Sequence, residues 1–471
     1  MSEKNEKSME IKEEKKPNPF ALLKKRDFTA LFVGGFISNI GNWFTMVAIL
    51  FLALEFTTHL TQTESTQAIA LLTTCSLIPM LVLGPLAGAL ADKFDRKKVM
   101  IFADFLGAGA AVALFFSTQM WHLYLFMIFN ASVRQFFYPA RMASIPRVVK
   151  QEQLLSANGF IQTTNQIARM IGPLLAGFIA AGLGLKVAFL MDAGTYVVSA
   201  ILIMLIKTDL KPLQNGERVD VRSILVGMRD GFKITFTDKI IAFVVITFGI
   251  TILAIGAIDP VAIPYLSYEF GLGEKDFGLM MSFSAISGVI AAVILSIKGQ
   301  LKNKLTFMSL AIVALGFSVA LLSLAPHVIS PVVWLYLGMV LIGFTNVGFS
   351  IPFSTLLQTI VKNEHLGKVS GVIDTVMTAA ALIASLLAVA LTGFITISIL
   401  LGIVAAIVLL AGIVSLIVIK TRKLEDLAQT KEAEMKKELA DKEKEDLQEV
   451  LEVKIQESKI DELPSVQPSI D

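Results

Sequence analysis

The chain has 471 residues, 55% hydrophobic and 17% charged, with a mean hydropathy of +0.70; a soluble domain has roughly 45–50% apolar and about 25% charged residues, so a soluble globular enzyme is excluded and most of the surface faces lipid. The formal net charge of +2 conceals an asymmetry, because residues 421–471 carry 9 Lys/Arg against 15 Asp/Glu while the remainder carries 32 against 24. One cysteine, Cys75, excludes an internal disulfide and a Cys-based metal centre.

Residues 1–27 are too charged for the apolar core of a cleavable signal peptide and read as a cytoplasmic N-terminal tail. A span of the hydrocarbon core needs roughly 20 apolar residues. Twelve such windows follow, at about 28–53, 67–91, 99–117, 122–145, 158–183, 186–206, 240–264, 277–297, 305–325, 331–355, 368–393 and 396–419. Basic residues alternate between the loops. Lys24 to Arg26, Lys93 to Lys98, Arg147 and Lys150, the 207–239 loop, Lys298 to Lys304, Lys362 and Lys368, and Lys420 to Lys423 share one side, whereas the other has Lys186 and Lys275. The positive-inside rule then puts both termini in the cytoplasm.

The only long polar break divides the spans six and six: an N-terminal bundle over 28–206, a linker over 207–239, a C-terminal bundle over 240–420 and a charged tail over 421–471. Within the linker, Val221, Ile224, Leu225, Met228 and Phe232 recur at helical spacing. That pattern fits an amphipathic helix on the inner membrane surface or an ordinary linker with a turn or two of helix. The tail has a helix-favouring composition without sustained heptads, so it reads as a solvated helix dispensable for transport.

"VKQEQLLSANG" at 149–159 and "VKNEHLGKVSG" at 361–371 match at five positions, each copy lying between the fourth and fifth span of its half. Six spans separate the copies, which gives both the same orientation and makes the halves parallel repeats. The fold class is therefore an all-α membrane protein with twelve transmembrane helices in two parallel-repeat six-helix bundles.

Between the second and third spans, "GPLAGALADKFDRKK" sets Gly84 and Gly88 on one helix face and Asp92 at the membrane edge beside Lys93, Arg96 and Lys97. Small residues four apart let helices approach closely in lipid, and an anion such as Asp92 is favoured at a neighbouring helix N-terminus. Lys97 and Lys98 read as topology signals. The stretch resembles the signature of the major facilitator superfamily, with Asp95 where the common pattern has glycine. The resemblance implies the major facilitator fold and a cytoplasmic latch between the halves built on Gly84, Gly88, Asp92, Lys93 and Arg96, received near Gly367 to Gly371. In the fifth span "ARMIGPLLAG" is similar to the antiporter motif of superfamily exporters around Gly172, Pro173 and Gly177, with Ala168 and Ala176 in place of glycine; an ordinary kinked helix fits the same residues. From "ASVRQFFYPARMASIPRVV" to "AFLMDAGTYVVSA" the sequence resembles the branch containing macrolide-efflux and siderophore-export proteins.

Charges inside spans cost a few kcal/mol and are functional candidates by default. Arg134 falls near the bilayer centre in the fourth span, Arg169 in the middle of the fifth and Asp192 well inside the sixth. Asp259 reads as lying near the outer end of the seventh, while Asp374 and Asp104 lie nearer the cytoplasm. The resemblance places Arg134 in an arginine motif associated with proton coupling. Arginine stays charged at physiological pH, so the proton carrier is assigned to Asp192, with a permanent Arg169–Asp192 pair as the structural alternative.

The implied function is a secondary transporter exporting amphipathic small molecules by proton antiport. The expected partners are a small-molecule substrate, protons and the lipid bilayer; the expected state is a monomer, with no cofactor, no metal and no nucleic acid. A lipid or lysolipid flippase of the same fold is one rival, and a membrane sensor or scaffold using the charged tail is another. No phosphate loop for ATP and no hydrolase constellation occurs in the sequence.

Overall fold

The structure is a computed structural model that describes residues 19–91, 94–150, 153–211, 221–298 and 301–435, together with residues 437 and 441. Among the described residues the secondary structure is helical, with no strand. The first half comprises α1 (Arg26–Phe56), α2 (Gln62–Ala91), α3 (Arg96–Phe115), α4 (Met120–Val148), α5 (Leu154–Leu183) and α6 (Leu185–Met204). After the linker come α7 (Val221–Thr237), α8 (Lys239–Ile255), α9 (Ile258–Phe270), α10 (Glu274–Lys298), α11 (Lys304–Leu324), α12 (Pro331–Ile360), α13 (Asn363–Leu391) and α14 (Ile397–Arg422).

Eleven helices among the described residues are long and apolar enough to cross a membrane, with α8 and α9 forming one of them. The remaining helix of the first half, α4, is 29 residues long. It falls short in hydropathy because Asn130, Arg134, Gln135 and Arg141 lie along it. It packs with α2 and α3 inside the bundle, an arrangement consistent with twelve spans. Residues such as Phe102, Ile297, Phe317 and Leu410 are exposed on the outside of the bundles, where lipid solvates them.

The parallel repeat is visible in the packing. In the first half α1 packs on α5 and α6, α3 on α4 and α6, and α2 on α4; the equivalents α8 on α13 and α14, α11 on α12 and α14, and α10 on α12 recur in the second. Between the halves α2 meets α13 and α5 meets α10, and these two contacts exchange under a six-span shift. The repeated sequences also end their preceding helices alike: the N–H of Val149 bonds Ile145 O and that of Val361 bonds Leu357 O, both from extended conformations.

The seventh span differs from its expected form. It runs over Lys239–Phe270 and breaks at Gly256 and Ala257, where α13 packs so closely that a Cβ on Gly256 would lie 3.0 Å from Ala384 Cβ. Asp259 follows the break and therefore sits within the span rather than near its outer end.

The beginning of the tail is also corrected. Residues 424–435 are helical and dock on the second bundle, with Leu424 and Ala428 buried in its core. Glu425 accepts hydrogen bonds from Leu305 N, Thr306 N and Thr306 Oγ1, capping α11. Glu432 pairs with Lys304 at 2.6 Å, and Lys431 pairs with Asp238, the residue that caps α8. Charges assigned to solvent by composition are consumed by helix ends.

Candidate functional site

The basic loops define one side of the molecule. At the opposite, charge-poor end the halves are joined: Thr74 Oγ1 bonds Ser385 Oγ, Gln67 Nε2 donates to Val389 O at 3.2 Å, and Tyr268 OH donates to Ser65 Oγ at 2.7 Å. The α5–α10 contact closes the same region. Ser282 Oγ donates to Met170 O at 2.8 Å, and Gly177 and Gly278 lie against each other's helices. A Cβ on Gly278 would meet Pro173 O at 2.5 Å, so the interface holds no side chain there.

Below this closure lies a cavity of about 1390 Å³ that reaches the basic side, where Gly227 and Met228 of α7 face Gly367 and Lys368 of α13. Its walls mix Trp43, Met80 and Met127 with carboxamides such as Asn39, Gln162 and Asn165. Arg134 and Arg169 both line it, are exposed to it, and make no hydrogen bond or ion pair among the described residues. Two unpaired guanidiniums at membrane depth are costly unless the cavity is wet or they receive a ligand.

Asp192 stands behind this wall, fully buried. Its Oδ2 accepts from Thr45 Oγ1 at 2.6 Å and its Oδ1 from Thr195 Oγ1 at 3.1 Å. Gly41 makes this possible, because a Cβ there would sit 2.5 Å from Asp192 Oδ1. The cation whose field reaches Asp192 is Arg134; Arg169 acts on Asp259 of α9 instead. The Arg169–Asp192 pair is thus not formed: the threonines of α1 and α6 occupy the carboxylate, and Arg169 projects into the cavity.

One turn further along α6, Tyr196 OH donates to Asn42 Oδ1 at 3.0 Å, with Asn130 Oδ1 at 3.4 Å as the alternative acceptor and its ring against Gly107 of α3. Beyond it lie Asp104, 1% exposed, and Arg141, 5% exposed. From the sequence Asp104 is, with Asp374, the carrier next in line after Asp192, whereas Arg141 did not stand out. The available signal was spacing, since Arg141 follows Arg134 by seven residues and so shares its helix face.

Of the latch residues, Asp92 and Lys93 lie outside the described residues, and Gly88 lies within α2. Gly84 lines the cavity, with a position 3.7 Å from Gln135 Oε1 for its Cβ. Arg96 Nη1 donates to Ala143 O of α4 at 2.9 Å. Asp95, the departure from the common pattern, caps α3 through Lys97 N at 3.0 Å. Lys97 is more than a topology signal, since its Nζ donates to Met204 O and Ile206 O at the end of α6. The start of α13, expected to receive the latch, packs on α7: Gly231 lies against Lys368 O, and Lys368 pairs with Asp230 at 3.5 Å. In the fifth span Gly172 lies beneath the Trp43 ring. No group of three or more possible metal ligands occurs among the described residues.

Comparison with known proteins agrees with this architecture. The family model of the Major Facilitator Superfamily matches residues 31–385 and 244–455. Macrolide efflux protein A of Streptococcus pyogenes is 23% identical over 369 residues, covering 76% of this chain and 87% of that protein. The Staphyloferrin A transporter of Staphylococcus aureus (strain NCTC 8325 / PS 47) is 25% identical over 353 residues, covering 73% and 82%. The crystal structure of a bacterial homologue of the iron transporter ferroportin in an inward-facing state superposes with a TM-score of 0.65 at 19% identity, covering 83% of this chain and 98% of that one. A multi-pass helical chain of two parallel six-helix bundles around a central cavity, matched by the family model over most of its length, belongs to the Major Facilitator Superfamily of membrane transporters.

Proposed function

We propose that the protein exports amphipathic small molecules in exchange for protons by alternating access, with its basic side and both termini in the cytoplasm. The observation that carries this reading is the pairing of a cavity on the basic side, offering two unpaired arginines, with a sealed carboxylate directly behind one of them. At about 1390 Å³ the cavity exceeds the ~300–1,000 Å³ usual for drug-sized ligands. It therefore suits bulky cargo of the kind named for the macrolide-efflux and staphyloferrin relatives.

In the proposed cycle Asp192 carries the proton and Arg134 controls it. A carboxylate in low dielectric stays ionised only while a cation or hydrogen-bond donors hold it. Rearrangement around Arg134 between the two states therefore changes the proton affinity of Asp192. The α5–α10 contact at Pro173, Gly177 and Gly278 and the α2–α13 contact at Thr74 and Ser385 part when the molecule opens outward. Gly84, Gly88, Asp92, Lys93 and Arg96 then latch the cytoplasmic side. The docking of residues 424–435 on their own bundle favours transport over a scaffold role, since Glu425, Lys431 and Glu432 are spent within the chain.

The test is a substrate panel on purified protein in liposomes under an imposed pH gradient, including macrolides, carboxylate siderophores and lysophospholipids. Accumulation of a macrolide or siderophore against its gradient, abolished by a protonophore, is expected. Transport of lysophospholipids alone assigns the flippase role, and absence of flux for every compound overturns the reading.

A further inference from the structure

Asp192 is fully buried and does not line the cavity, so a proton bound there has no direct contact with water on the basic side. Asp104 and Arg141 do line it, each from a side chain more than nine-tenths buried. They make no direct ion pair. Arg141 Nε and Nη2 have no hydrogen-bond partner among the described residues, and the Asp104 carboxyl faces the Ser199 hydroxyl beside them. Buried polar atoms left unpaired cost about 1–3 kcal/mol each, and two guanidinium nitrogens orphaned beside a buried carboxyl mark a place built for something other than packing.

The surroundings repeat those of Asp192. Arg134 and Arg141 are seven residues apart on α4, as are Asp192 and Ser199 on α6, which separates two acid–arginine sets by ~10 Å along the membrane normal at a rise of ~1.5 Å per residue. Tyr196 stands between them, four residues after Asp192, with its ring against Gly107, three residues beyond Asp104 on α3. The charged or titratable groups that face Asp104 from the helices packed on it are few: Arg141 on α4, and Asp192 and Tyr196 on α6, while Tyr138 of α4 faces Arg141. On α1 the approach is by Gly35, whose Cα leaves room for the Arg141 guanidinium where a Cβ would collide with it.

We infer that Asp104, in the field of Arg141, is the port through which the proton on Asp192 exchanges with the water of the cavity. The inference rests on Asp192 being the carrier. The proton leaves the Asp192 carboxyl by way of the Tyr196 hydroxyl and intervening water and is taken up by the Asp104 carboxylate. Asp192 is left as the anion facing Arg134. Asp104 then releases the proton to the cavity, regaining its charge beside Arg141.

The experiment needs no substrate. Purified protein in lipid is transferred from H₂O to D₂O, and the carbonyl stretch of its protonated carboxyls is followed by infrared spectroscopy. The band removed by Asp192→Asn belongs to the carrier, and if that variant removes none, the carrier reading fails first and the port falls with it. With the carrier band present, Asp104→Asn is expected to leave its amplitude intact and slow its hydrogen–deuterium exchange by about 100-fold, the scale of a lost acid–base group. Exchange at the wild-type rate overturns the port. Should Asp104→Asn not insert stably, Asp104→Glu carries the test. It is expected to keep exchange close to the wild-type rate while moving the pH midpoint of that rate, and an unmoved midpoint overturns the proposal.

Discussion

The two bundles share one packing plan and divide the chemistry unequally. Every fully buried charged side chain among the described residues belongs to the first: Asp104, Arg141 and Asp192. The buried polar groups of the second are hydroxyls that serve packing, such as Ser309 against Ser415 at 2.5 Å and Ser323 Oγ donating to Ser398 O at 2.8 Å. Its core is one large cluster dominated by Ile, Val, Leu and Ala with a small satellite of Ala291, Leu295 and Val347, whereas that of the first is split into two clusters of similar size. The polar layer of Tyr196, Asn42 and Asn130 lies in the first bundle. A repeat fixes how helices meet, and each copy can then fill the shared frame differently. Here the first half holds the buried charges, and the second fills the same frame with apolar side chains and hydroxyls.

This contrast can be broken most decisively at Asp192. Asp192→Asn is expected to stay folded and exchange substrate downhill while losing pH-driven accumulation by about 100-fold, the magnitude of a removed proton-transfer group. Parallel measurements of counterflow and gradient-driven uptake in liposomes check it. If accumulation survives, the first bundle does not carry the proton at this residue.

The next largest effect compares glycines. Gly41→Ala places a methyl against Thr195 and Asp192, so it should impair coupling in the same uptake assays. Gly316→Ala in the second bundle meets the backbone N of Leu409 at 2.8 Å and should cost about 1–3 kcal/mol of stability, read as a lower melting temperature with coupling intact.

Truncation after Lys423 exposes the core positions covered by Leu424 and Ala428 and removes the Glu425 cap. A lower melting temperature in detergent is expected. Truncation after residue 435 keeps these contacts and should leave both stability and flux unchanged. The smallest effect is that of Glu425→Ala alone, about 1 kcal/mol for a lost helix cap, measurable as a small shift in the same melt.

Much of the architecture was legible because hydropathy is a local property. The window beginning at 240 anticipates α8 at Lys239, and the last, ending at 419, anticipates α14. The residues spaced from Val221 to Phe232 fall within α7. The site was less legible. Arg134, Arg169 and Asp192 stood out as charges in apolar windows, but their partners did not. Two threonines hold Asp192, and threonine is too common in membrane helices to signal a site. Arg141 escaped notice among Arg147 and Lys150 near the end of its span, where basic residues are expected for topology. Asp259 was misplaced because its helix continues to Phe270, past the window drawn for it.

The sequence by itself determined that the chain crosses a membrane many times, the parallel relation of the halves and the presence of charges that lipid would not tolerate. Each follows from one-dimensional counting against the thickness of a bilayer. Tertiary structure alone decided which of those charges meet water. Depth along a helix can be counted from its residues, but azimuth is set by neighbours: Gly41 lets α1 close over Asp192, Arg134 turns into the cavity, and Leu424 and Ala428 take an acidic tail out of solvent.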